Sequence, residues 1–298
     1  MNAATQTSTN DAPTATRGPR IRLAQFAVDR LRSMEKRSSF SQKVMTPFRI
    51  CCEALVIGLL TSAEMDAVVQ ATYQSQPTFY DPTRYKLSHE TRMLPGLKNL
   101  ASPPCDLLDA FCGQGREAEI FADAGYKVTA IDRESWMIES AKKYSGDAGF
   151  DTDFQVANFA TYNPGHRFAI VYTSLWMLST FQGAERRQAM LAKCRELCLS
   201  DGIVVVSIVS AKNDRPWGRA TRFALARIVA GVSRSGAGPE IGQRFYSGLF
   251  WHHLGEDVVQ KDIESVGLEI VDSIEAEGLA PAFYFLACKS LGKDDADA

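Results

Sequence analysis

No sign of charge prevails in this sequence: 33 basic residues stand against 35 acidic ones, for a net charge of −2 and a pI near 6.1. No global positive field therefore draws the chain to nucleic acid or to anionic lipid, and neither is expected as a partner. Long apolar runs are missing too. The most apolar early stretch, ICCEALVIGLL at 50–60, is too short to cross a bilayer and carries Glu53, so it reads as a core helix. The opening MNAATQTSTNDAPTATRGP lacks the apolar stretch of a secretion signal and any apolar periodicity, which predicts a disordered tail over 1–19. A cysteine framework is absent as well. The seven cysteines are odd in number and sit mostly in apolar stretches, which points to reduced, buried thiols and a cytoplasmic setting. Cys194 and Cys198 lie one helical turn apart, but with no histidine or further cysteine nearby they make a poor zinc site and read as core. No cluster of acids suggests a magnesium site, so no metal is expected.

What is present suffices for one large core, with 45% of the residues hydrophobic. Apolar periodicity over 20–75 predicts helices, one of them starting near Ser62 and Glu64, and 76–97 reads as a connector rich in proline, aromatics and charge. Residues 20–100 are thus an N-terminal helical cap. From Cys105 the pattern changes to strands at 105–111, 127–132, 152–156, 168–173 and 202–210, alternating with helices at 115–124, 134–144 and 184–198. This alternation predicts an α/β domain over 101–292 with a doubly wound parallel sheet. After a helix at 255–266, strands at 268–274 and 282–289 are joined by too little chain for a helical crossover, so the last strand should enter antiparallel. Between the fifth strand and that helix, 211–250 reads as a lid insertion beyond the carboxyl end of a central strand. Its basic helix at 217–232 sits among Arg215, Arg219, Arg222 and Arg227, which read as a solvated face.

The stretch LLDAFCGQGREAEIFADAGYKVTAID at 107–132 joins strand, glycine turn, helix and second strand. Its G-x-G-x-x-A spacing, with Asp132 placed 132 − 113 = 19 residues after Gly113, also fits a dinucleotide fingerprint. No Lys followed by Ser or Thr comes after the second glycine, which excludes a phosphate-cradling P-loop. Asp109, at the end of the first strand, would repel a pyrophosphate and attract an ammonium group. Asn158 and Phe159 follow the third strand, where an amide side chain and a backbone N–H suit an adenine edge. These residues and the closing hairpin disfavour an NAD-dependent oxidoreductase.

The run Asp109-Ala110-Phe111-Cys112-Gly113-Gln114-Gly115 resembles the glycine-rich motif of class I S-adenosylmethionine-dependent methyltransferases, with Phe111 in place of the first glycine. The resemblance spans about 105–289. It implies a doubly wound seven-stranded sheet with an antiparallel last strand, and S-adenosylmethionine as cofactor. It also implies that Asp109, Phe111, Gly113 and Gly115 face the methionine portion and that Asp132, beside Arg133, holds the ribose hydroxyls. Asn158 and Phe159 would hold adenine, and Ser174 and Tyr85 would complete the cofactor set. Phe111 suggests a displaced loop and keeps open a relative that binds the donor without transferring methyl.

On the acceptor side, YTSLWMLSTF at 172–181 lacks the Pro-Pro-aromatic signature of enzymes that methylate DNA bases. Ser174 and Trp176 should line the pocket. Candidate bases are His252 and His253, ahead of the helix at 255, and His89, which with Tyr80 and Tyr85 forms a second constellation over the donor. A cap and a lid suggest a small, enclosed acceptor methylated at oxygen or nitrogen without a metal. Oligomeric state is not legible.

Overall fold

The computed structural model describes residues 18–35, 45–75, 88–149, 151–173, 176–276 and 283–290. The expected tail and most of the 76–97 connector, with Tyr80 and Tyr85, lie outside these residues. Strands β1 (Asp106–Ala110), β2 (Lys127–Asp132), β3 (Asp153–Val156), β4 (Phe168–Thr173) and β5 (Cys198–Ser210) lie parallel in the order β3-β2-β1-β4-β5. The final strand, β9 (Phe283–Ser290), runs antiparallel along β5, and β8 (Leu268–Ala276) pairs antiparallel with β9 outside it. These are the seven expected strands, one of them antiparallel, within a sheet of nine among the described residues.

Alternation along β1 shows how the sheet is buried on both faces. Leu107 joins a core with Phe121, Ala118 and Tyr172, whereas Leu108 and Ala110 join one with Leu191, Cys194 and Ile263. Helices α5 (Arg116–Asp123) and α6 (Ser135–Ala148) pack on the first face, and α7 (Ala184–Leu197) and α9 (Glu256–Ser265) on the second. Cys194 is fully buried and Cys198 nearly so, as the structural reading of that pair requires.

The amino-terminal cap comprises α1 (Pro19–Glu35), α2 (Thr46–Leu59) and α3 (Ser62–Ser75). A reciprocal cap at Thr61 starts α3: the Glu64 N–H donates to Thr61 Oγ1 at 3.3 Å, and the Thr61 N–H donates to Glu64 Oε2 at 2.9 Å. Where a connector is expected, Ser88–Leu100 forms helix α4, which continues through Pro95 and buries Met93 and Leu97 in the first core.

In the 211–250 insertion, helix α8 (Pro216–Ser233) docks lengthwise on α2. The approach is close because α2 carries glycine at the contact: a Cβ on Gly58 would lie 2.5 Å from the Ala226 carbonyl oxygen and 2.8 Å from Val229 Cβ. Beyond α8, β6 (Gln243–Tyr246) and β7 (Leu249–Leu254) form a hairpin. Its turn residues Ser247 and Gly248 both have positive φ, +54° and +74°, as a two-residue hairpin turn demands.

This hairpin has a telling register. β7 pairs in parallel with the last residues of β5, Val209 with His253 and Ser210 with Leu254. One edge of β5 is taken by β9 over Ile203–Val209, and β4 holds the other edge only as far as Val205. The hairpin therefore occupies the edge that β4 vacates, just past its carboxyl end. Phe245 and Phe250 face the cap core, and Trp251 joins the core of the first sheet face.

Candidate active site

The carboxyl ends of β1, β2 and β3 form a single rim. Phe111, directly after β1, has φ +64°, a left-handed conformation that costs a residue bearing Cβ about 1–2 kcal/mol. The residue that replaces glycine in the sequence pattern thus keeps a glycine-like backbone. Its ring packs on Phe159, centroids 4.8 Å apart, and edge-on to Phe181 at 6.2 Å, contacts that offset the strain.

Gly113 and Gly115 also have positive φ, +54° and +83°, but for different reasons. A Cβ on Gly115 would lie 2.8 Å from the Phe154 ring and 3.1 Å from Ala141 Cβ, so this glycine serves packing as α5 begins. A Cβ on Gly113 would meet only Met137 Sδ, at 3.7 Å. Open space beside backbone at the rim is what a ligand approaching the main chain requires.

Asp132 is fixed at the end of β2 by two backbone donors. Gly113 N–H donates to Oδ2 at 3.0 Å and Glu134 N–H to Oδ1 at 2.9 Å. Burial pushes its carboxyl above the ordinary range, while those two N–H groups pull it down. Each oxygen keeps a second lone pair, so the group suits a pair of hydroxyls. The rim therefore fits an adenosyl ligand with ribose at Asp132 and main chain at Gly113. Asp109, which pairs with Ala130 two residues before Asp132, is fully buried beside Tyr172 of β4. Arg133 is half exposed and lies 3.3 Å from Glu134.

After β3, Asn158 Oδ1 accepts the Ala160 N–H at 3.1 Å and so caps a short 3₁₀ turn over Phe159–Thr161. Its amide keeps the NH2 group and one lone pair on the oxygen for a contact with adenine. Phe159 is buried against Phe111. Ser174 and Tyr85 lie outside the described residues, as does the side chain of His89, which sits on α4.

Helix α3 spans the rim. One mid-helix turn makes the contacts: Gln70 Nε2 donates to Glu134 Oε1 at 3.0 Å, and Asp66 Oδ2, one turn earlier, accepts from Arg186 Nη2 at 2.6 Å. Thr72 Oγ1 donates to the Gly248 carbonyl at 2.8 Å, which ties the same helix to the hairpin turn.

The hairpin sends the two histidines to different neighbourhoods, and neither is the exposed residue that their sequence context suggests. His252 is buried, with Nε2 2.8 Å from the Ile241 carbonyl and Nδ1 3.2 Å from Arg187 Nη1. Both ring nitrogens are thus engaged, in a network where buried Arg187 also binds Asp262 at 2.6 Å and Glu240 at 2.9 Å. Burial, then the Arg187 charge, push the imidazole down to about 4, so it is neutral near pH 7. That is a structural seat, and His252 is withdrawn as a candidate base.

His253 lies with Asp214 Oδ1 3.0 Å from Nδ1 and the Tyr246 hydroxyl 3.4 Å from Nε2. Burial lowers its pKa, although Asp214 opposes the shift. Arg222, read from sequence as part of a solvated face, is buried beside Glu53 at 3.3 Å. Asp214, Tyr246 and Trp251 were not singled out by sequence. A Ser-Gly turn between two apolar runs was the available signal, since a hairpin there brings 246 towards 253.

A sheet closed by an antiparallel strand, a glycine turn and a strand-end acid held by that turn are features of the class I methyltransferase fold. Residues 107–202 match the family model described as a methyltransferase domain. The fold is shared with the Burkholderia thailandensis 1,6-didemethyltoxoflavin-N1-methyltransferase bound to 1,6-didemethyltoxoflavin and S-adenosylhomocysteine. That match is 15% identical, covers 78% of this chain and 91% of that one, and has a TM-score of 0.57. A methyltransferase from Methanosarcina mazei matches at 18% identity over 66% of this chain and 98% of its own, with a TM-score of 0.55. The magnesium protoporphyrin IX methyltransferase of Synechocystis with bound S-adenosylmethionine matches at 17% identity, 75% and 96% coverage and a TM-score of 0.51. No protein of curated function matches the sequence. The chain thus has the class I S-adenosylmethionine-dependent methyltransferase fold, with a match to a methyltransferase domain at 107–202.

Proposed function

We propose that this protein transfers a methyl group from S-adenosylmethionine to oxygen or nitrogen of a small-molecule acceptor, without a metal ion. The observation that carries the small-acceptor reading is that one turn of α3 holds both Glu134, after β2, and Arg186, at the start of α7, with the hairpin set past β4. A site roofed in this way suits an enclosed molecule better than a macromolecular surface. The didemethyltoxoflavin enzyme, whose fold is shared, binds such an acceptor. Among the described residues no group of three or more His, Cys, Asp or Glu is placed to hold a metal ion. Seven free cysteines, all but Cys51 and Cys105 buried, suit a reducing, cytoplasmic setting.

Within this reading Asp132 binds the ribose, and Gly113 and Gly115 shape the main chain around the methionine portion with Asp109 beneath. Phe111, Arg133, Asn158 and Phe159 complete the cofactor wall, with Ser174 and Tyr85 assigned to it from sequence. The bound donor supplies an activated methyl group, so the task left to these residues is orientation and exclusion of water, worth roughly 7–11 kcal/mol.

Calorimetric titration with S-adenosylmethionine, S-adenosylhomocysteine and NAD, beside an Asp132→Asn variant, tests the donor site. Saturable adenosyl-ligand binding, weakened at least about tenfold in the variant, is expected from loss of charge-assisted bonds to the ribose. Unchanged affinity in a folded variant removes the ribose assignment. Incubation with tritiated-methyl donor and a mixture of small acceptors, protein and nucleic acid tests the acceptor class: label entering chiefly protein or nucleic acid refutes it.

A further inference from the structure

Helix α8 has a free face as well as a docked one. Gly218, Arg222, Ala226 and Val229 recur at helical spacing and meet α2: Gly218 stands against Ile50, Arg222 lies 3.3 Å from Glu53, and Ala226 and Val229 close on Gly58. On the opposite side Trp217, Thr221, Ala224, Ile228 and Val232 form a second row at the same spacing, all of them exposed. Trp217 is 53% exposed, Ile228 61% and Val232 82%. Among the described residues no other helix or strand leaves three large apolar side chains open, and this row contains no charged residue. Apolar side chains gathered in this way mark an interaction surface, whereas scattered single ones do not.

The charge around the row is of one sign. From 215 to 239 the chain carries five arginines and no acidic residue. Arg222 is buried against Glu53, which leaves Arg215, Arg219, Arg227 and Arg234. None of these makes an ion pair among the described residues. Arg215, Arg227 and Arg234 are exposed, and Arg227 lies over the Phe223 ring at 5.7 Å. The whole-chain charge of −2 conceals this local excess, because the acids lie elsewhere in the sequence.

We propose that the free face of α8 docks on an anionic lipid bilayer, the apolar row entering the headgroup layer while the arginines beside it meet lipid phosphates. This goes beyond the methyltransferase reading and does not depend on it. The shape and the charge favour a bilayer over other occupants. A single convex helix offers neither the groove nor the free sheet edge by which a peptide is gripped. A second copy of the chain would set one all-basic helix against another, with no acid on either to pair the arginines. A bilayer needs only an apolar row with positive charge at its flank, and the row from Trp217 to Val232 supplies that over about 22 Å of helix. The Trp217 indole suits the headgroup level, where an apolar ring with one N–H donor is at home.

The test uses the full chain in a sedimentation assay with vesicles of phosphatidylcholine, alone or with about one third phosphatidylglycerol. Binding to the anionic vesicles is expected to be at least about tenfold tighter than to phosphatidylcholine alone, and to weaken as salt rises. Ile228→Asp combined with Val232→Asp places charge in the row at positions already open to water, so the fold should hold while vesicle affinity falls at least about tenfold. Arg227→Glu should cause a similar fall on anionic vesicles, and it carries the test if the paired variant does not fold. No sedimentation with anionic vesicles, equal binding to both lipid compositions, or variants that bind like the parent would each overturn the proposal. So would a dimer in analytical ultracentrifugation that Val232→Asp dissociates, which would assign the face to a second copy of the chain.

Discussion

The two glycines of the turn should respond oppositely to alanine. Both sit at positive φ, so each substitution carries about 1–2 kcal/mol of backbone cost. At Gly113 little else is added, because the new methyl would touch only Met137 Sδ, at 3.7 Å. At Gly115 the methyl would sit 2.8 and 2.9 Å from the Phe154 ring and 3.1 Å from Ala141, adding an overpacking cost of about 1–3 kcal/mol. With roughly 2–4 °C in Tm per kcal/mol for a domain of this order of size, Gly113→Ala should lower Tm by about 2–8 °C and Gly115→Ala by about 4–20 °C. Donor affinity should rank the other way. The Gly113 methyl fills the open space at the rim and should weaken S-adenosylhomocysteine binding at least tenfold, about 1.4 kcal/mol, whereas correctly folded Gly115→Ala keeps more of its affinity. Thermal denaturation and calorimetry on the two variants suffice. A Gly113→Ala protein that binds like the parent would show that the space beside Gly113 is not where the ligand lies.

Acid stability offers a second check. His252 is held at about 4 against an ordinary value of 6.5, so the unfolded chain binds the extra proton first and stability falls as pH drops through that window, by about 3 kcal/mol in full. Glu119, raised to about 7 by burial, slopes the opposite way over part of the range, so the measurement is the difference in slope between the parent and His252→Asn; equal slopes would refute the assignment. At the cap, Gly58→Val places side-chain atoms within contact of Ala226 and Val229 and should cost at least about 2 kcal/mol in denaturant melts, through separation of α2 from α8. An unchanged midpoint would mean that the close approach carries no stability.

Legibility followed the range over which each feature is encoded. Strands β2 and β4 coincide with their expected limits because continuous apolar runs bounded by turns are local signals. The unit from Asp109 to Asp132 was legible for the same reason, since it is one contiguous strand-turn-helix-strand. The β6/β7 hairpin was missed because its apolar run ends in two histidines and reads as polar. Burial of those imidazoles depends on Arg187 and Asp214, far away in sequence. Helix α4 was obscured by Pro95, which marks a break in isolated chain but is accommodated here within the helix. The buried charge network around Asp214 draws on residues from 53 to 253, and no spacing rule links them.

The contact between α2 and the segment after α8 joins residues far apart in the chain: the Ser235 hydroxyl donates to the Gly58 carbonyl across 177 positions, and Arg244 reaches Glu53 across 191. On a ribosome adding about 5–20 residues each second, the first helices wait roughly 9–35 s after they emerge before their partners exist. Over that interval Leu59, Leu60 and Val56, all buried in the finished protein, have no α8 or hairpin to cover them. The contact between α2 and α8 therefore closes late, with only α9, β8 and β9 still to emerge, and the first helices are the stretch that a nascent chain leaves longest exposed to aggregation.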